Sequence, residues 1–302
     1  MSKSEKGILV LGTGELGDAV LQELVPQAQA RGLTVDVLVR SRSSDGAAFA
    51  RSLGLSIVEA DVAHNSEDKL AIIFQKYDTV LSCVGFAAGP GTQLKLTRAV
   101  LSAGTRRYFP WQFGVDYDVL GYGSSQPVFD EQLNVRGLLR TQAKTHWVIV
   151  SVGMFTSFLF EPSFGIVNLQ EARVHALGSW ENAVTVTTPE DIGKLTTEIL
   201  LAEPEFTDTV VYVAGDTITY GQLADTVQKA LGKSVQREVW TVDELEKEVR
   251  QNPEDTLKRY RAVFAAGKGI SWPKEGTYNA VHSIPVTDTE AWLKSHLASR
   301  ST

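Results

Sequence analysis

A glycine pattern near the amino terminus is the part of this sequence with the clearest chemistry. The residues Gly12-Thr13-Gly14-Glu15-Leu16-Gly17 follow a short apolar run, Gly7–Leu11, and precede apolar residues at helical spacing. In a strand–turn–helix context the pattern G-x-G-x-x-G predicts a dinucleotide-binding loop. Gly12 permits the tight turn, Gly14 lets a pyrophosphate approach the backbone, and Gly17 lets the helix pack close to the strand. The N-terminus of that helix favours phosphate binding.

A basic segment follows the second predicted strand, residues 33–39. Proteins that bind NAD usually place an acidic residue at this strand end to hold the ribose 2′-hydroxyl, whereas arginine there suits a 2′-phosphate. This chain has Arg40, Ser41 and Arg42 at that position, and its only nearby acidic residue, Asp36, lies in mid-strand. We therefore predict that the cofactor is NADP(H). The alternative is that both arginines are ordinary solvated loop charges.

The composition is that of an ordinary globular protein. The chain has 302 residues, of which 43% are hydrophobic and 22% charged, which suits one large or two modest domains. Its net charge of −7 argues against a nucleic-acid-binding surface, and its single cysteine, Cys83, excludes an internal disulfide. The apolar run near the amino terminus is too short for a signal peptide or a membrane span, so we expect a cytoplasmic protein without membrane contact.

Strands and helices alternate along the first half of the chain, which predicts an α/β fold with a Rossmann-type doubly wound parallel sheet. We predict an NADP(H)-binding domain over residues 1–153 and a smaller, intertwined α/β substrate domain over residues 154–302. Ligands of such sheets bind beside the carboxyl ends of the strands. The loops at these ends supply the further predicted cofactor contacts Asp61, Cys83, Val84, Gly85, Phe113, Gly153, Met154 and Phe155.

Several familiar catalytic patterns are absent from the sequence. No tyrosine has a lysine four residues later, so the Tyr-x-x-x-Lys pair of ordinary short-chain dehydrogenases is missing. The five histidines show no metal-ligand spacing, and the sequence has no P-loop, serine-hydrolase elbow or calcium-binding loop. We therefore predict that no metal is bound.

Four segments together resemble a known family. Residues 108–116 (YFPWQFGVD), 128–136 (VFDEQLNVR), 150–155 (VSVGMF) and 187–193 (TTPEDIG) are similar to the NmrA-like and isoflavone-reductase-like branch of the atypical short-chain dehydrogenases. The similarity is greatest to fungal members described as aromatic alcohol reductases. The resemblance covers nearly the whole chain and implies NADPH-dependent reduction of a small molecule.

The chain departs from the plant reductases of this family at three positions. Those enzymes read Phe-Pro-Ser-Glu-Phe-Gly after the fifth strand and carry a catalytic lysine in the next helix. Here Trp111, Gln112 and Gln132 stand in place of the serine, the glutamate and the lysine. Glutamine can hydrogen-bond a ribose or a carbonyl but cannot serve as a general acid. The resemblance therefore implies that Gln132 lies near the nicotinamide ribose without donating the proton. A substrate that needs little acid assistance, or a water held by Asp116, Gln132 or Tyr122, would then suffice for the reduction. The alternative for Gln132 is a solvent-facing helix residue.

Aromatic residues follow the sixth predicted strand. Taken alone, they would be assigned to the hydrophobic core, but their place directly after that strand favours a substrate pocket. Such a pocket suits a flat aromatic or polyketide-like substrate. We predict that its walls include Trp111, Phe155, Phe158, Phe164 and Trp180.

The sequence is compatible with three functions, of which we favour the first and keep the other two as alternatives. The first is an NADPH-dependent reductase of a small apolar carbonyl, enone or imine compound, of the kind found in secondary metabolism. The second is a non-catalytic NADP(H)-sensing regulator, and the third is a redox-neutral isomerase that uses the cofactor as a scaffold. The phenylalanine-rich segment favours the reductase, whereas the missing lysine favours the regulator. A monomer and a homodimer are both compatible with the sequence.

Overall fold

The computed structural model describes residues 7–299, and its chain divides into two compact units of three segments each. The first unit comprises the chain up to Phe113, Glu131–Val150 and Ile192–Val211. The second unit comprises Gly114–Asp130, Ser151–Asp191 and the chain from Tyr212 onward. The chain passes from one unit to the other several times. A single boundary after residue 153, as predicted from the sequence, does not describe this arrangement.

The described residues form strands and helices along the whole chain. The strands are β1 (Gly7–Leu11), β2 (Thr34–Val39), β3 (Ser56–Glu59), β4 (Thr79–Ser82), β5 (Arg107–Phe109), β6 (His146–Ser151), β7 (Met154–Phe155), β8 (Val167–Asn168), β9 (Arg173–Leu177), β10 (Ala183–Thr187), β11 (Thr209–Tyr212), β12 (Asp216–Thr219) and β13 (Gln236–Trp240). The helices are α1 (Glu15–Ala30), α2 (Asp45–Ser52), α3 (Glu67–Phe74), α4 (Thr92–Ala103), α5 (Tyr117–Leu120), α6 (Pro127–Arg140), α7 (Thr156–Leu159), α8 (Pro189–Leu200), α9 (Tyr220–Leu231), α10 (Val242–Gln251), α11 (Thr256–Ala265), α12 (Tyr278–Val281) and α13 (Thr289–Ser299).

A seven-stranded sheet forms the centre of the first unit. Its strand order is β3-β2-β1-β4-β5-β6-β11, and the neighbours from β3 to β6 are parallel. Both β1 and β4 are buried along their whole length, as is usual for parallel strands with both faces covered. The strand order reverses beside β1, and doubly wound sheets bind ligands at such a point. The predicted Rossmann-type sheet is confirmed.

The core of the first unit lies between this sheet and its helices. Strand residues such as Leu9, Val80 and Ile149 pack in one buried cluster with Leu96 of α4 and Leu139 of α6. Each of these five side chains has no exposed surface, so this apolar packing holds the strand ends, and the loops that follow them, in place.

The second unit contains two three-stranded sheets. In one, β10 pairs antiparallel with β12 and parallel with β7. In the other, β9 pairs parallel with β13 and antiparallel with β8. Most of these strands are short and pair with partners far away in the chain. Periodicity along the sequence is therefore a weak guide to this part of the fold.

Candidate functional site

The glycine pattern forms a tight turn between β1 and α1. Gly12 has φ +90°, a value that favours glycine, and its N–H donates a hydrogen bond to the Leu38 carbonyl at 3.0 Å. A Cβ at Gly17 would overlap the Gly12 carbonyl oxygen. Both glycines are therefore required by the fold of the loop itself.

Gly14 differs from these two glycines. It caps α1 at φ −98°, where other residues are also comfortable, and a Cβ there would meet no atom within 4 Å. No side chain caps the first turn of α1 at this position. The space in front of Gly14 and the N–H groups of the helix N-terminus thus fit a pyrophosphate.

A further glycine, missed in the sequence analysis, supports this turn from α2. A Cβ at Gly46 would collide with the Thr13 hydroxyl, so α2 packs directly against the glycine loop. The signal was hard to see because α2 is short and follows a serine-rich loop. The capping residue Ser44, whose hydroxyl accepts a hydrogen bond from the Ala47 N–H at 3.2 Å, was the available indication.

The two arginines after β2 have different surroundings. Arg42 Nη2 donates to the Ile57 carbonyl at 2.8 Å, and its Nε lies 3.5 Å from the Glu59 carboxylate. Arg40 is exposed, and within residues 7–299 no hydrogen bond or ion pair involves its side chain. The guanidinium of Arg40 is consequently available to bind a phosphate, whereas that of Arg42 already bonds two residues of β3.

Serine hydroxyls complete this loop. The Ser41 and Ser43 hydroxyls lie 2.8 Å apart, and the Ser44 hydroxyl donates to the Ser41 carbonyl at 2.7 Å. Residues 40–44 therefore present small hydroxyl groups beside the free charge of Arg40. We call residues 12–17 and 40–44 the nucleotide loops.

The acidic residues nearby do not compete for a ribose. Asp36 accepts a hydrogen bond from the Tyr77 hydroxyl at 2.7 Å, in agreement with its mid-strand position. Asp61, a predicted cofactor contact, accepts hydrogen bonds from the N–H groups of Ala63 at 2.9 Å and His64 at 3.1 Å. The hydrogen bond with the His64 side chain is the main reason that the pKa of Asp61 lies below its usual value. The Asp61 carboxylate therefore stabilises its own turn.

The loop after β4 lies beside the glycine loop. Val84 is the side chain that a Cβ at Gly12 would approach, at 3.2 Å, and the Val84 carbonyl accepts a hydrogen bond from Gln93 Nε2 at 2.8 Å. Cys83 is buried, and burial raises the pKa of its thiol well above the usual range. The thiol is thus uncharged at neutral pH and has a packing role.

Trp111 packs against the same loop. A Cβ at Gly85 would lie 3.2 Å from the indole, and the Phe86 ring meets the indole edge-on with ring centroids 4.5 Å apart. The indole is half-buried, so part of it remains available to a ligand of the first unit. Phe113, which was predicted to contact the cofactor, is 3% exposed and belongs mainly to the core.

Gln132 lies inside the first unit and not on its surface. Its side chain has no exposed area, so the solvent-facing alternative is wrong. Its Nε2 donates to the Trp111 carbonyl at 3.1 Å, and its Oε1 accepts from Gln112 Nε2 at 3.1 Å. Gln112 Oε1 in turn accepts from Arg136 Nε at 2.7 Å. Because arginine can only donate and a carbonyl can only accept, this chain of partners settles the orientation of both amides.

This buried network explains what Gln132 can do. An amide has no titratable proton, so Gln132 can hold the Trp111 backbone in place but cannot act as a general acid. The position of Gln132 could be predicted from a family resemblance, but its partners could not, because Gln112 and Gln132 are brought together only when α6 packs beside the loop after β5.

The other two predicted catalytic residues belong to the second unit. Asp116 caps α5, and its Oδ1 accepts from the N–H groups of Asp118 and Val119 at 3.1 and 3.3 Å. Its Oδ2 accepts a hydrogen bond from the Tyr212 hydroxyl at 2.7 Å. Tyr122 is 65% exposed. Asp116 is therefore engaged in holding its loop, and Tyr122 lacks the enclosed setting in which a general acid is usually tuned.

The segment after β6 is held by close backbone packing. Gly153 has φ +77°, and a Cβ there would overlap the Thr185 carbonyl oxygen, so β10 requires glycine at this place. Met154 and Phe155 pair with Val186 and Thr187 of β10. Met154 is buried, whereas the Phe155 side chain is half-buried and keeps an open face.

The remaining predicted pocket residues fall into two groups. Phe158 is half-buried and stacks on Phe164 with ring centroids 4.3 Å apart. Phe164 has no exposed surface, so it packs against Phe158 but cannot itself contact a ligand. The Trp180 ring lies 5.9 Å from the guanidinium carbon of Arg237, and within residues 7–299 it makes no ring contact with the phenylalanines.

No group of three or more His, Cys, Asp or Glu side chains within residues 7–299 is arranged to hold a metal ion. Within the same residues, no helix combines the length and the apolar character needed to cross a membrane.

Comparison with known proteins places these features in a family. The chain is 42% identical over 296 residues to an NmrA-like family domain-containing oxidoreductase of Gibberella moniliformis, covering 95% of this chain and 97% of that protein. Among solved structures, isoflavone reductase matches with a TM-score of 0.76 at 19% identity, covering 97% of this chain and 100% of that chain.

A second solved structure has a similar fold and contains the cofactor. Leucoanthocyanidin reductase from Vitis vinifera, solved as a complex with NADPH, matches with a TM-score of 0.76 at 18% identity over 97% of this chain and 99% of that chain. A sequence model of the NmrA-like family matches residues 4–293. The predicted resemblance is confirmed, and the chain belongs to the NmrA-like family.

Proposed function

We propose that this protein is an NADPH-dependent reductase of a small, largely apolar carbonyl, enone or imine compound with aromatic or polyketide-like character. The observation that carries the proposal is the pair of nucleotide loops. Within residues 7–299, no atom fills the space in front of Gly14, and the exposed charge of Arg40 has no partner. A dinucleotide with a 2′-phosphate uses both features at once.

The residues of the first unit have separate roles in this proposal. The N-terminus of α1 and the backbone at Gly14 bind the pyrophosphate, while Arg40 and the Ser41 hydroxyl bind the 2′-phosphate. When bound, NADPH supplies the hydride. Gln132 holds the backbone of Trp111, and Trp111 offers a half-exposed indole beside the loop after β4.

The relatives support this assignment. The Gibberella moniliformis protein carries the name of an oxidoreductase, and the Vitis vinifera reductase is a complex with NADPH. The substrate class rests on this chain's own half-buried aromatic side chains, Trp111, Phe155 and Phe158.

The experiment has two parts. Tryptophan fluorescence titrations of the purified protein should show tighter binding of NADPH than of NADH, and equal affinities would contradict the cofactor assignment. With NADPH saturating, loss of the reduced nicotinamide absorbance is then followed with a panel of aromatic aldehydes, ketones, enones and imines. Consumption of NADPH with formation of the reduced compound is the expected result. Conversion of a substrate without consumption of NADPH would instead indicate a redox-neutral isomerase.

A second candidate function is a non-catalytic NADP(H)-sensing regulator. The observation in its favour is the buried network around Gln132, which puts an amide without a titratable proton where the plant enzymes carry lysine. Tight binding of NADPH, with no turnover of any compound in the panel, would favour this function over the reductase.

A further inference from the structure

Helix α11 brings a tyrosine into contact with aromatic rings from two other segments of the second unit. The Tyr260 ring lies edge-on to Phe129, with centroids 5.6 Å apart and planes at 68°. It lies edge-on to Phe158 as well, at 6.1 Å and 77°. Phe158 stacks on Phe164, and Phe129 meets Tyr117 edge-on at 5.2 Å. We call Tyr117, Phe129, Phe158, Phe164 and Tyr260 the aromatic cluster.

The residue after Tyr260 fixes the cluster to α11. Arg261 Nε donates to the Phe164 carbonyl at 2.8 Å, and its Nη2 donates to the Ser163 carbonyl at 2.9 Å. The same guanidinium lies 4.8 Å from the centre of the Trp240 ring, within cation–π range. The segment that carries Phe158 and Phe164 is therefore held at a definite distance from Tyr260.

Only two members of the aromatic cluster reach its open side. Tyr117, Phe129 and Phe164 are 1%, 3% and 0% exposed, so they form the floor. Phe158 and Tyr260 are half-buried and present an aromatic ring and a phenol side by side. This combination of an apolar surface with one polar group is typical of small-molecule sites.

The Tyr260 hydroxyl differs from the hydroxyls of three other tyrosines in the described part of the chain. The hydroxyls of Tyr77 and Tyr212 donate hydrogen bonds to aspartate carboxylates. The hydroxyl of Tyr220 is buried away from solvent. Within residues 7–299 the Tyr260 hydroxyl makes no hydrogen bond, and it is not among the sealed polar atoms. Burial of the ring raises the pKa of Tyr260 to about 12, so the hydroxyl keeps its proton at neutral pH and can donate it in a hydrogen bond.

We propose that Phe158 and Tyr260 bind a planar aromatic carbonyl compound, whose ring packs on Phe158 and whose carbonyl oxygen accepts a hydrogen bond from the Tyr260 hydroxyl. This inference rests on the proposed reductase function and narrows its substrate class. Aromatic packing selects flat ligands. The hydroxyl discriminates against a ligand of the same shape that lacks the oxygen, because its hydrogen bond would then be lost.

The test measures binding without turnover, using protein saturated with NADP+. Calorimetry compares three planar carbonyl probes (naphthaldehyde, flavone and anthraquinone) with methylnaphthalene, which has no oxygen. The variant Tyr260→Phe keeps the ring and removes only the hydroxyl. We expect it to weaken naphthaldehyde binding about five- to tenfold, the effect of one hydrogen bond, and to leave methylnaphthalene and NADP+ binding unchanged.

Two further variants complete the design. Phe158→Leu should weaken the binding of all planar probes, and Tyr278→Phe, a tyrosine of the same unit outside the aromatic cluster, should change none of them. Failure of all three carbonyl probes to bind, or equal affinities of wild type and Tyr260→Phe, would overturn the inference. If the wild-type protein does not bind NADP+, the proposed function is contradicted instead. Failure of the inference and failure of the proposed function therefore give different results.

Discussion

The nucleotide loops of the first unit and the aromatic cluster of the second unit are both candidate ligand sites, but they are built from different material. The nucleotide loops are two runs of adjacent residues, 12–17 and 40–44, and most of what they offer is backbone and empty space. The aromatic cluster uses side chains from three separate segments, joined by ring contacts and by Arg261.

This difference has consequences for mutation. A backbone site is damaged by adding atoms, because its ligand needs the space that glycine leaves. A side-chain site is damaged by removing atoms, because its ligand needs the ring or the hydroxyl. Two kinds of substitution therefore test the comparison directly: those that add side-chain atoms in the nucleotide loops, and those that remove side-chain atoms from the aromatic cluster.

The largest expected effect comes from a pair of glycine substitutions in the first region. Gly17→Val should destabilise the protein by about 1–3 kcal/mol or more, because the new side chain overlaps the Gly12 carbonyl. Gly14→Val should cost only about 1 kcal/mol, as valine is a poor helix cap, yet should abolish NADPH binding. Urea denaturation and fluorescence titration measure the two quantities. A Gly14→Val protein that folds and binds NADPH normally would refute the proposed pyrophosphate position.

The next effect concerns the buried amides. Gln132→Lys should lower the free energy of unfolding by about 3 kcal/mol or more, because it places an ammonium beside the Gln112 amide without a carboxylate. The double variant Gln112→Glu/Gln132→Lys should recover much of this loss, since glutamate can accept from both Arg136 and the lysine. A double-mutant cycle in urea quantifies the coupling. Additive losses would mean that the two positions do not interact as the hydrogen bonds indicate.

The two arginines after β2 should differ in their contribution to NADPH binding, which fluorescence titration measures. Arg40→Ala should weaken NADPH binding about tenfold or more, the effect of one charge-assisted hydrogen bond, without a change in the affinity for NADH. Arg42→Ala is the matched control, and we expect a smaller effect on NADPH because its guanidinium also bonds Ile57 and Glu59. Equal losses of NADPH affinity in the two variants would show that Arg40 does not bind the cofactor more strongly than Arg42 does.

The smallest expected effect lies in an ion pair at the opposite end of the sheet. Arg106 binds Asp78 at 2.8 Å and Glu205 at 2.7 Å, and its hydrogen bond is the main cause that lowers the pKa of Glu205. Because the pKa of Glu205 is lower in the folded state than in the unfolded state, its ion pair stabilises the protein at pH values above the usual glutamate pKa. This stabilisation is lost as the pH falls through the lowered pKa. Because Glu205 is 43% exposed, we expect at most about 1 kcal/mol.

Thermal unfolding as a function of pH measures this contribution. Arg106→Gln should make the stability of the protein less dependent on acidic pH and should leave NADPH affinity at neutral pH unchanged. A change in that affinity would mean that this ion pair influences the nucleotide loops.

Much of the first region could be predicted from the sequence. The turn at Gly12, the alternation of strands and helices in the Rossmann-type sheet and the position of Arg40 all depend on short-range patterns, because backbone conformation and helix capping are decided by neighbouring residues. The sequence also indicated that Gln132 matters, through the resemblance to a family, although not in which direction its side chain points.

Tertiary packing decided the rest. The burial of Gln132 against Gln112, the engagement of Asp116 by Tyr212, and the contact of Tyr260 with Phe158 each join positions that are distant in the chain. No local pattern encodes such pairs, since they form only when separate elements pack together and exclude water. The sequence by itself thus determined the loop that suits a dinucleotide, whereas only the folded chain decided which polar side chains bond one another internally and left the Tyr260 hydroxyl without a hydrogen bond within residues 7–299.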